Sequence, residues 1–365
     1  MKISAAIARA RHAPLSIETL ELETPRENEI LVRLVAVGIC HTDAAMRDQQ
    51  FPVPHPLVLG HEGAGIVERV GANVTKVAAG DHVIMHYDSC GTCPSCVAHA
   101  PAYCHHFFGY NFSGRRADGS LTLRCDSGEI FGNFFGQSSF ATYSLCRERN
   151  VVKVAKNLPL DLLAAIGCGI QTGAGAVINA LRVRAGDSLA VFGTGSVGLA
   201  AIMAARVCGA TRIIAVDTNP DRLDMALSLG ATQAINAASQ DSVAEIRTLT
   251  GTGVAFTFDT TGNATVLRQC VDALAPRGIC GTVGVPAQER NVTLDIIDIM
   301  THGKTLRGIV QGESNPDLFF QTLIDLYLQG NFPIDRLITH YTFEQINQAM
   351  SDSEAGKVIK AVLRF

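Results

Sequence analysis

Four cysteines crowd into the stretch "CGTCPSCVAHAPAYC", where Cys90, Cys93, Cys96 and Cys104 follow the pattern C-x2-C-x2-C-x7-C. Two-residue gaps let successive thiolates turn inward on one loop, and the longer gap lets the chain return to close a tetrahedron. The pattern favours a structural zinc. An iron–sulfur cluster, which also uses three close cysteines and a distant fourth, is the competing reading. A closed shell of four sulfurs leaves no position for a substrate, so any reaction must be carried by other residues.

Two further cysteines stand out. Cys40, in "VGICHTDAAM", is followed directly by His41, Thr42 and Asp43, and Cys168, in "IGCGIQTGAGA", lies between glycines. "LGHEGAGIVERVG" adds His61 and Glu62 in a similar glycine-rich setting. Spacing alone does not join residues so far apart, yet one histidine and two cysteines could make a three-ligand zinc site with an open fourth position. Cys208, Cys270 and Cys280 fall in apolar helix or strand contexts and read as buried thiols. Cys125 and Cys146 have no partner pattern.

A third chemistry is written in "DSLAVFGTGSVGLAAIMAARVCGATRIIAVDTNPDRLDMALSLGA", which reads as strand, glycine turn, helix, strand and second helix. Gly193, Gly195 and Gly198 form G-x-G-x-x-G at the strand–helix junction, with Ser196 and Val197 between them. The first glycine permits the tight turn, the second lets backbone approach a pyrophosphate, and the third lets helix and strand pack closely. Free N–H groups at the helix start then face the phosphates. Asp217, nineteen residues beyond Gly198, sits where an acid accepts hydrogen bonds from the adenosine ribose and repels a 2′-phosphate, which favours NAD over NADP. Strand, motif, helix, strand and acid in order make this far stronger than a lone glycine motif. "VAFTFDTTG" and "GICGTVGV" read as further strands of the same sheet.

These residues need a scaffold of two domains, which 365 residues allow. Apolar residues at 47% and charged residues at 18% fit a large interior. A net charge of −4 without a Lys/Arg block excludes nucleic acid and an anionic membrane as expected partners. The first residues lack the apolar run of a signal peptide, and every apolar stretch breaks before the roughly 18 residues of a membrane span. Eleven cysteines, an odd number, without an export signal argue for reduced thiols and a cytoplasmic protein.

Taken together, "GHEGAGIVERVG", "CGTCPSC", "CGIQTGAGA" and "VFGTGSVGL" resemble, in order and from end to end, the zinc-dependent medium-chain alcohol dehydrogenases. Within that family, "FFGYNFSGRRADGS" is most similar to the aryl (benzyl) alcohol dehydrogenases. The resemblance implies an α/β protein: a Rossmann doubly wound parallel sheet for NAD at 170–310, and a mainly β, GroES-like catalytic domain at 1–169 and 311–365, with the active cleft between them. It implies two zincs per chain. Cys40, His61 and Cys168 would hold the catalytic ion, with Glu62 and Asp43 behind it and Asp43 orienting His61, and Cys90, Cys93, Cys96 and Cys104 would hold the structural ion. Thr42 matches the hydroxyl that takes the substrate proton. His41 and Lys360 match positions facing the pyrophosphate, Arg222 lies near the adenosine ribose, and Val197 lies behind the nicotinamide. The histidine that ends the family's proton relay is replaced by Ala45, leaving Arg47, ordered water or direct solvent access as the exit.

The resemblance places Phe51, His86, Val285 and Val310 at the substrate pocket. Seven of the sixteen phenylalanines, Phe107, Phe108, Phe112, Phe131, Phe134, Phe135 and Phe140, lie close by in sequence. An aromatic wall suits a flat apolar alcohol, although core packing explains most single rings. The expected reaction is reversible oxidation of a primary aryl or allylic alcohol to the aldehyde. The alternatives are an aliphatic, secondary, terpene (geraniol) or polyol substrate, a thiol-conjugated formaldehyde, or a catalytically silent NAD-binding relative. The family is usually a homo-oligomer, dimer or tetramer.

Overall fold

A computed structural model describes residues 1–125, 128–285 and 291–365. The chain divides into two units. The first comprises Met1–Cys168, Asn315–Thr322 and Ile334–Phe365, and the second Gly169–Ser314 with Leu323–Pro333.

The first unit is built on two sheets. Strand Lys2–Ala8 pairs antiparallel with Ser16–Leu22 and with Leu57–Val58, and the five-stranded sheet is completed by Leu123–Cys125 and Gly128–Ile130. Strand Glu29–Gly38, "EILVRLVAVG", is apolar on both faces and sits at the centre of the second sheet. It pairs antiparallel with Gly63–Val70, Tyr143–Arg147 and Lys360–Arg364. Ile30, Val32, Leu34, Val67, Val83, Met85 and Val151 close one core over it. The C-terminal strand thus completes the sheet that the N-terminal residues begin, and it carries Lys360 into that interior.

The second unit is a six-stranded parallel sheet. Ser188–Phe192 lies between Arg212–Asp217 and Val254–Asp259, with Gln233–Asn236 on one outer side and Leu274–Thr282 and Thr305–Gly308 on the other. Numbered along the chain, this is the 3-2-1-4-5-6 order of a doubly wound sheet. Its crevice opens at the carboxyl ends, where the first strand's neighbours depart in opposite directions. Phe192, Ile214, Val216, Ile235, Ile246, Cys270 and Cys280 fill the core on one face.

The sequence reading returned the chain to the first domain at residue 311, but 311–314 and 323–333 group with the second unit. Side chains from helix Gly169–Gly175 and the turn after it account for the first segment. Gln171 accepts from Ser314 Oγ at 2.6 Å, and Asn179 donates to the Gly312 carbonyl at 3.2 Å. Among the described residues, no disulfide joins any cysteine and no single helix is long and apolar enough to cross a membrane.

Candidate metal centre and cofactor turn

Helix His41–Arg47 begins at Cys40, whose extended backbone is the N-cap, and Asp43 stands at the third helical position. An acid in the first turn and Arg47 in the last both suit the helix dipole. Asp43 does more than cap. One of its oxygens accepts from the Cys40 N–H at 3.0 Å, and the other from the Gly60 N–H at 3.0 Å and His61 Nδ1 at 3.0 Å. A fully buried carboxylate with three donors therefore fixes the cap, the chain before His61 and the imidazole together. It also holds the Nδ1–H tautomer and leaves Nε2 as the outward lone pair.

That Nε2 is buried and has no hydrogen-bond partner. Potential ligand atoms of Cys40, His61, Glu62 and Cys168 all lie within 4.8 Å of one another. Cys168 reaches the cluster from the junction between the 3-10 turn Ala164–Gly167 and the following helix. Two soft sulfurs and an orphaned imidazole nitrogen suit zinc. The proton affinities fit a cation as well. A hydrogen bond shared with Cys168 holds the Cys40 thiol well below its usual range, and the same bond, with burial, pushes Cys168 well above its own. Burial alone would lower His61, but Asp43, aided by Cys40, raises it well above the ordinary imidazole value. The high proton affinity of His61 and Cys168 marks the lone pairs that a metal ion would take in place of protons.

Glu62 needs room that Gly38 supplies, because a Cβ on Gly38 would sit 2.0 Å from Glu62 Oε2. Lys360 Nζ lies 2.8 and 2.9 Å from the two Glu62 oxygens and donates to the Ile39 carbonyl at 3.1 Å. This corrects the expectation that Lys360 reaches a pyrophosphate: its ammonium is sealed in the first unit, where it answers a buried carboxylate. Arg47 is likewise occupied. It pairs with Asp48 at 2.7 Å and Glu354 at 2.7 Å, and these partners raise its pKa further, so it is no proton carrier. Ala45 is buried beside it. Thr42 is half-buried, with Oγ1 3.7 Å from Cys40 Sγ, and His41 is exposed at the helix start.

The four clustered cysteines form a second group whose ligand atoms also lie within 4.8 Å. Cys90 Sγ accepts from the Thr92 and Cys93 N–H groups at 3.4 and 3.2 Å; against the opposing effect of burial, these bonds hold its thiol down at about 5. Burial pushes Cys104 up to about 12. A zinc fits here too, since all four ligands are sulfurs from one loop.

In the second unit the glycine turn distributes its three roles as expected. Gly193 has φ +88°. A Cβ on Gly198 would lie 1.9 Å from the Gly193 carbonyl oxygen, whereas one on Gly195 would meet nothing within 4 Å. The open side at Gly195 is the cradle a pyrophosphate would enter, and no side chain caps helix Ser196–Val207 behind it. Asp217 accepts from Thr194 N and Oγ1 at 2.6 and 2.8 Å and from the Thr218 and Asn219 N–H groups at 2.8 and 3.0 Å. Arg222 Nε is buried without a partner. Ser196 and Val197 are half-buried.

Rings approach the metal cluster from the first unit. Phe135 stacks on the His61 imidazole with centroids 4.5 Å apart, and Phe134 meets it edge-on at 5.6 Å. Phe112 lies 5.2 Å from Phe135, Phe51 5.3 Å from Phe112, and Phe108 5.6 Å from Phe51. His86 is buried. Its Nδ1 donates to the Tyr87 carbonyl at 2.9 Å, its Nε2 has no partner, and burial pushes it down to about 3. Val285 is exposed and Val310 half-buried in the second unit.

Comparison with known proteins agrees with this geometry. The alcohol dehydrogenase GroES-like domain family matches residues 26–156, and the zinc-binding dehydrogenase family matches 196–329. A geraniol dehydrogenase from Castellaniella defragrans is 44% identical over 99% of this chain and 97% of its own length. The chain belongs to the zinc-dependent medium-chain alcohol dehydrogenases. Two solved members of the family superimpose with TM-scores of 0.97 over 100% of this chain and 99% of theirs. One, an alcohol dehydrogenase zinc-binding domain protein from Burkholderia ambifaria, is 53% identical, and the other, a benzyl alcohol dehydrogenase from Acinetobacter calcoaceticus, is 46% identical.

Two features of this alcohol dehydrogenase escaped the sequence reading. The Lys360–Glu62 pair had a signal, since a lysine inside the apolar run "KVIKAVLRF" needs a buried counter-charge. Gln137, which donates to the His61 carbonyl at 3.0 Å and accepts from the Gly63 N–H at 3.1 Å, had none.

Proposed function

We propose that this alcohol dehydrogenase oxidises primary aryl or allylic alcohols to aldehydes, reversibly, with NAD as hydride acceptor. The run of rings from Phe108 and Phe51 through Phe112 and Phe135 to His61 carries the substrate class. An aryl alcohol laid along such rings gains about 0.5–1.5 kcal/mol per aromatic pair beyond area burial, and an allylic one gains the burial alone. The relatives' names support the class, because geraniol and benzyl alcohol both carry the hydroxyl carbon beside an sp2 carbon. That neighbour delocalises positive charge as hydride departs. Phe51, His86, Val285 and Val310 are the proposed pocket residues.

Zinc, when bound, supplies the Lewis acid that acidifies the alcohol, and NAD supplies the ring that takes the hydride. Cys40, His61 and Cys168 hold the reactive position, and Asp43 orients His61. Lys360 engages both Glu62 oxygens, which supports a fourth position left to substrate rather than to Glu62. The Thr42 hydroxyl accepts the substrate proton and passes it to water, since Ala45 and the paired Arg47 offer no route. Gly195 and the helix start behind it receive the pyrophosphate, Asp217 and Arg222 meet the adenosine ribose, and His41 is a further proposed cofactor residue.

Two zincs per chain, a cytoplasmic setting and a homo-oligomer complete the reading. Strand Thr305–Gly308 at the sheet edge is exposed at all four residues, and Ile296, Ile297 and Met300 of the same unit are exposed as well, which supports self-association through that unit. A panel of benzyl alcohol, geraniol and ethanol with NAD and NADP, followed by nicotinamide absorbance, tests the whole. Preference for ethanol overturns the substrate class, and preference for NADP overturns the role of Asp217.

A further inference from the structure

The backbone of Phe135 lies in the left-handed region, with φ 51° and ψ 32°. For a bulky residue this is a true outlier, the kind of strain that persists only where surrounding structure imposes it and that gathers at functional sites. Gly136 and Ser138 follow at φ 67° and 49°, so three of four successive residues turn left-handed. The turn is tied to the chain around His61. The Ser139 N–H donates to the Gly60 carbonyl at 2.9 Å, the Phe140 N–H to the Leu59 carbonyl at 3.0 Å, and Ser138 Oγ to the Val58 carbonyl. Gln137 spans His61 itself: its amide donates to the His61 carbonyl at 3.0 Å and its carbonyl accepts the Gly63 N–H at 3.1 Å. That amide also reaches the His86 carbonyl at 3.3 Å. The strained backbone lays the Phe135 ring on one face of the imidazole, 28° from parallel, while Phe134 closes its flank at 85°.

We propose that Phe135 and Gln137 are positioning residues for the reactive metal. Gln137 fixes the backbone of His61, and Phe135 fixes the plane of its ring about the Asp43–Nδ1 bond, so that Nε2 is delivered toward Cys40 and Cys168. Asp43 alone defines one point of the ring and leaves it free to swing about that hydrogen bond. The stacked phenyl removes that freedom and keeps water from the nitrogen. The left-handed backbone is retained because a right-handed one would turn the ring away.

This inference rests on Cys40, His61 and Cys168 being a metal site, and its test does not depend on any alcohol. Zinc affinity of each site is measured by chelator competition, and the cobalt-substituted protein is read by its visible absorption. Phe135→Gly relieves the backbone and removes the ring, and Gln137→Leu removes the amide at similar volume. Both should weaken metal at the Cys40 site by 10–100-fold, as loss of ligand-orienting neighbours does, shift the cobalt bands, and leave the four-cysteine site unchanged. Phe135→Leu, which keeps bulk without a flat face, should fall between and serves where the glycine variant does not fold. Folded variants with parental affinity and cobalt spectrum overturn the proposal. A parent chain that retains only one metal instead sinks the metal-site reading beneath it.

Discussion

Lys360 and Glu62 form an ion pair sealed from solvent, with the ammonium 2.8 Å from one carboxylate oxygen and side chains 1% and 0% exposed. Burial pushes the Glu62 carboxyl up to about 7 even though Lys360 opposes it. Burial likewise works against the Lys360 ammonium, but Glu62, aided by Cys40 and Cys168, more than offsets it and holds its pKa up at about 12. Each charge is tolerable only because the other is there.

Lys360→Met should therefore destabilise the protein by about 3–5 kcal/mol, the cost of stranding one member of a buried pair. Pairing it with Glu62→Leu should recover most of that loss in denaturant unfolding. Equal destabilisation in single and double variants would show that the strand, not the charge pair, is at fault.

His86 predicts an acid sensitivity. Its folded pKa of about 3 lies below the unfolded value of about 6.5, so the unfolded chain takes up a proton first as pH falls. The resulting loss begins below pH ~6.5 and continues toward pH ~3, reaching about 2 kcal/mol by pH ~5. A His86→Phe variant should lack this component. Parallel stability curves for the two proteins across that window would remove His86 as its source.

Asp217 spends both oxygens on the glycine turn and the loop after its strand, which holds the carboxylate in one place. Asp217→Ser should lower kcat/KM with NAD at least about tenfold, near 1.4 kcal/mol, and raise it with NADP, because the repelling charge is gone and Arg222 remains. An unchanged NAD-to-NADP ratio would take cofactor choice away from this residue.

Local sequence carried the parts that local geometry determines. Four cysteines in one loop can hardly avoid one another, and the three glycines of the turn sit where φ, open space or close approach demands them. Four of the six parallel strands were similarly readable from short apolar runs, while Gln233–Asn236 and the exposed Thr305–Gly308 carry no such run. What the residues alone did not carry is long-range. Cys40, His61 and Cys168 are joined only by folding, and the resemblance supplied that link. Lys360 was assigned to the cofactor by resemblance alone, whereas its apolar strand buries it against Glu62. The clamp on His61 depends on a left-handed phenylalanine, and nothing in "GNFFGQSSF" marks such a residue beyond the glycine after it.

Zinc per folded chain, measured alongside benzyl alcohol oxidation in the parent and in Cys168→Ser, tests the central claim most directly. We expect two ions in the parent, a weakened or lost second ion in the variant, turnover abolished and NAD binding retained. Two tightly held ions and near-parental turnover in Cys168→Ser would contradict the assignment of Cys40, His61 and Cys168 as the reactive metal site.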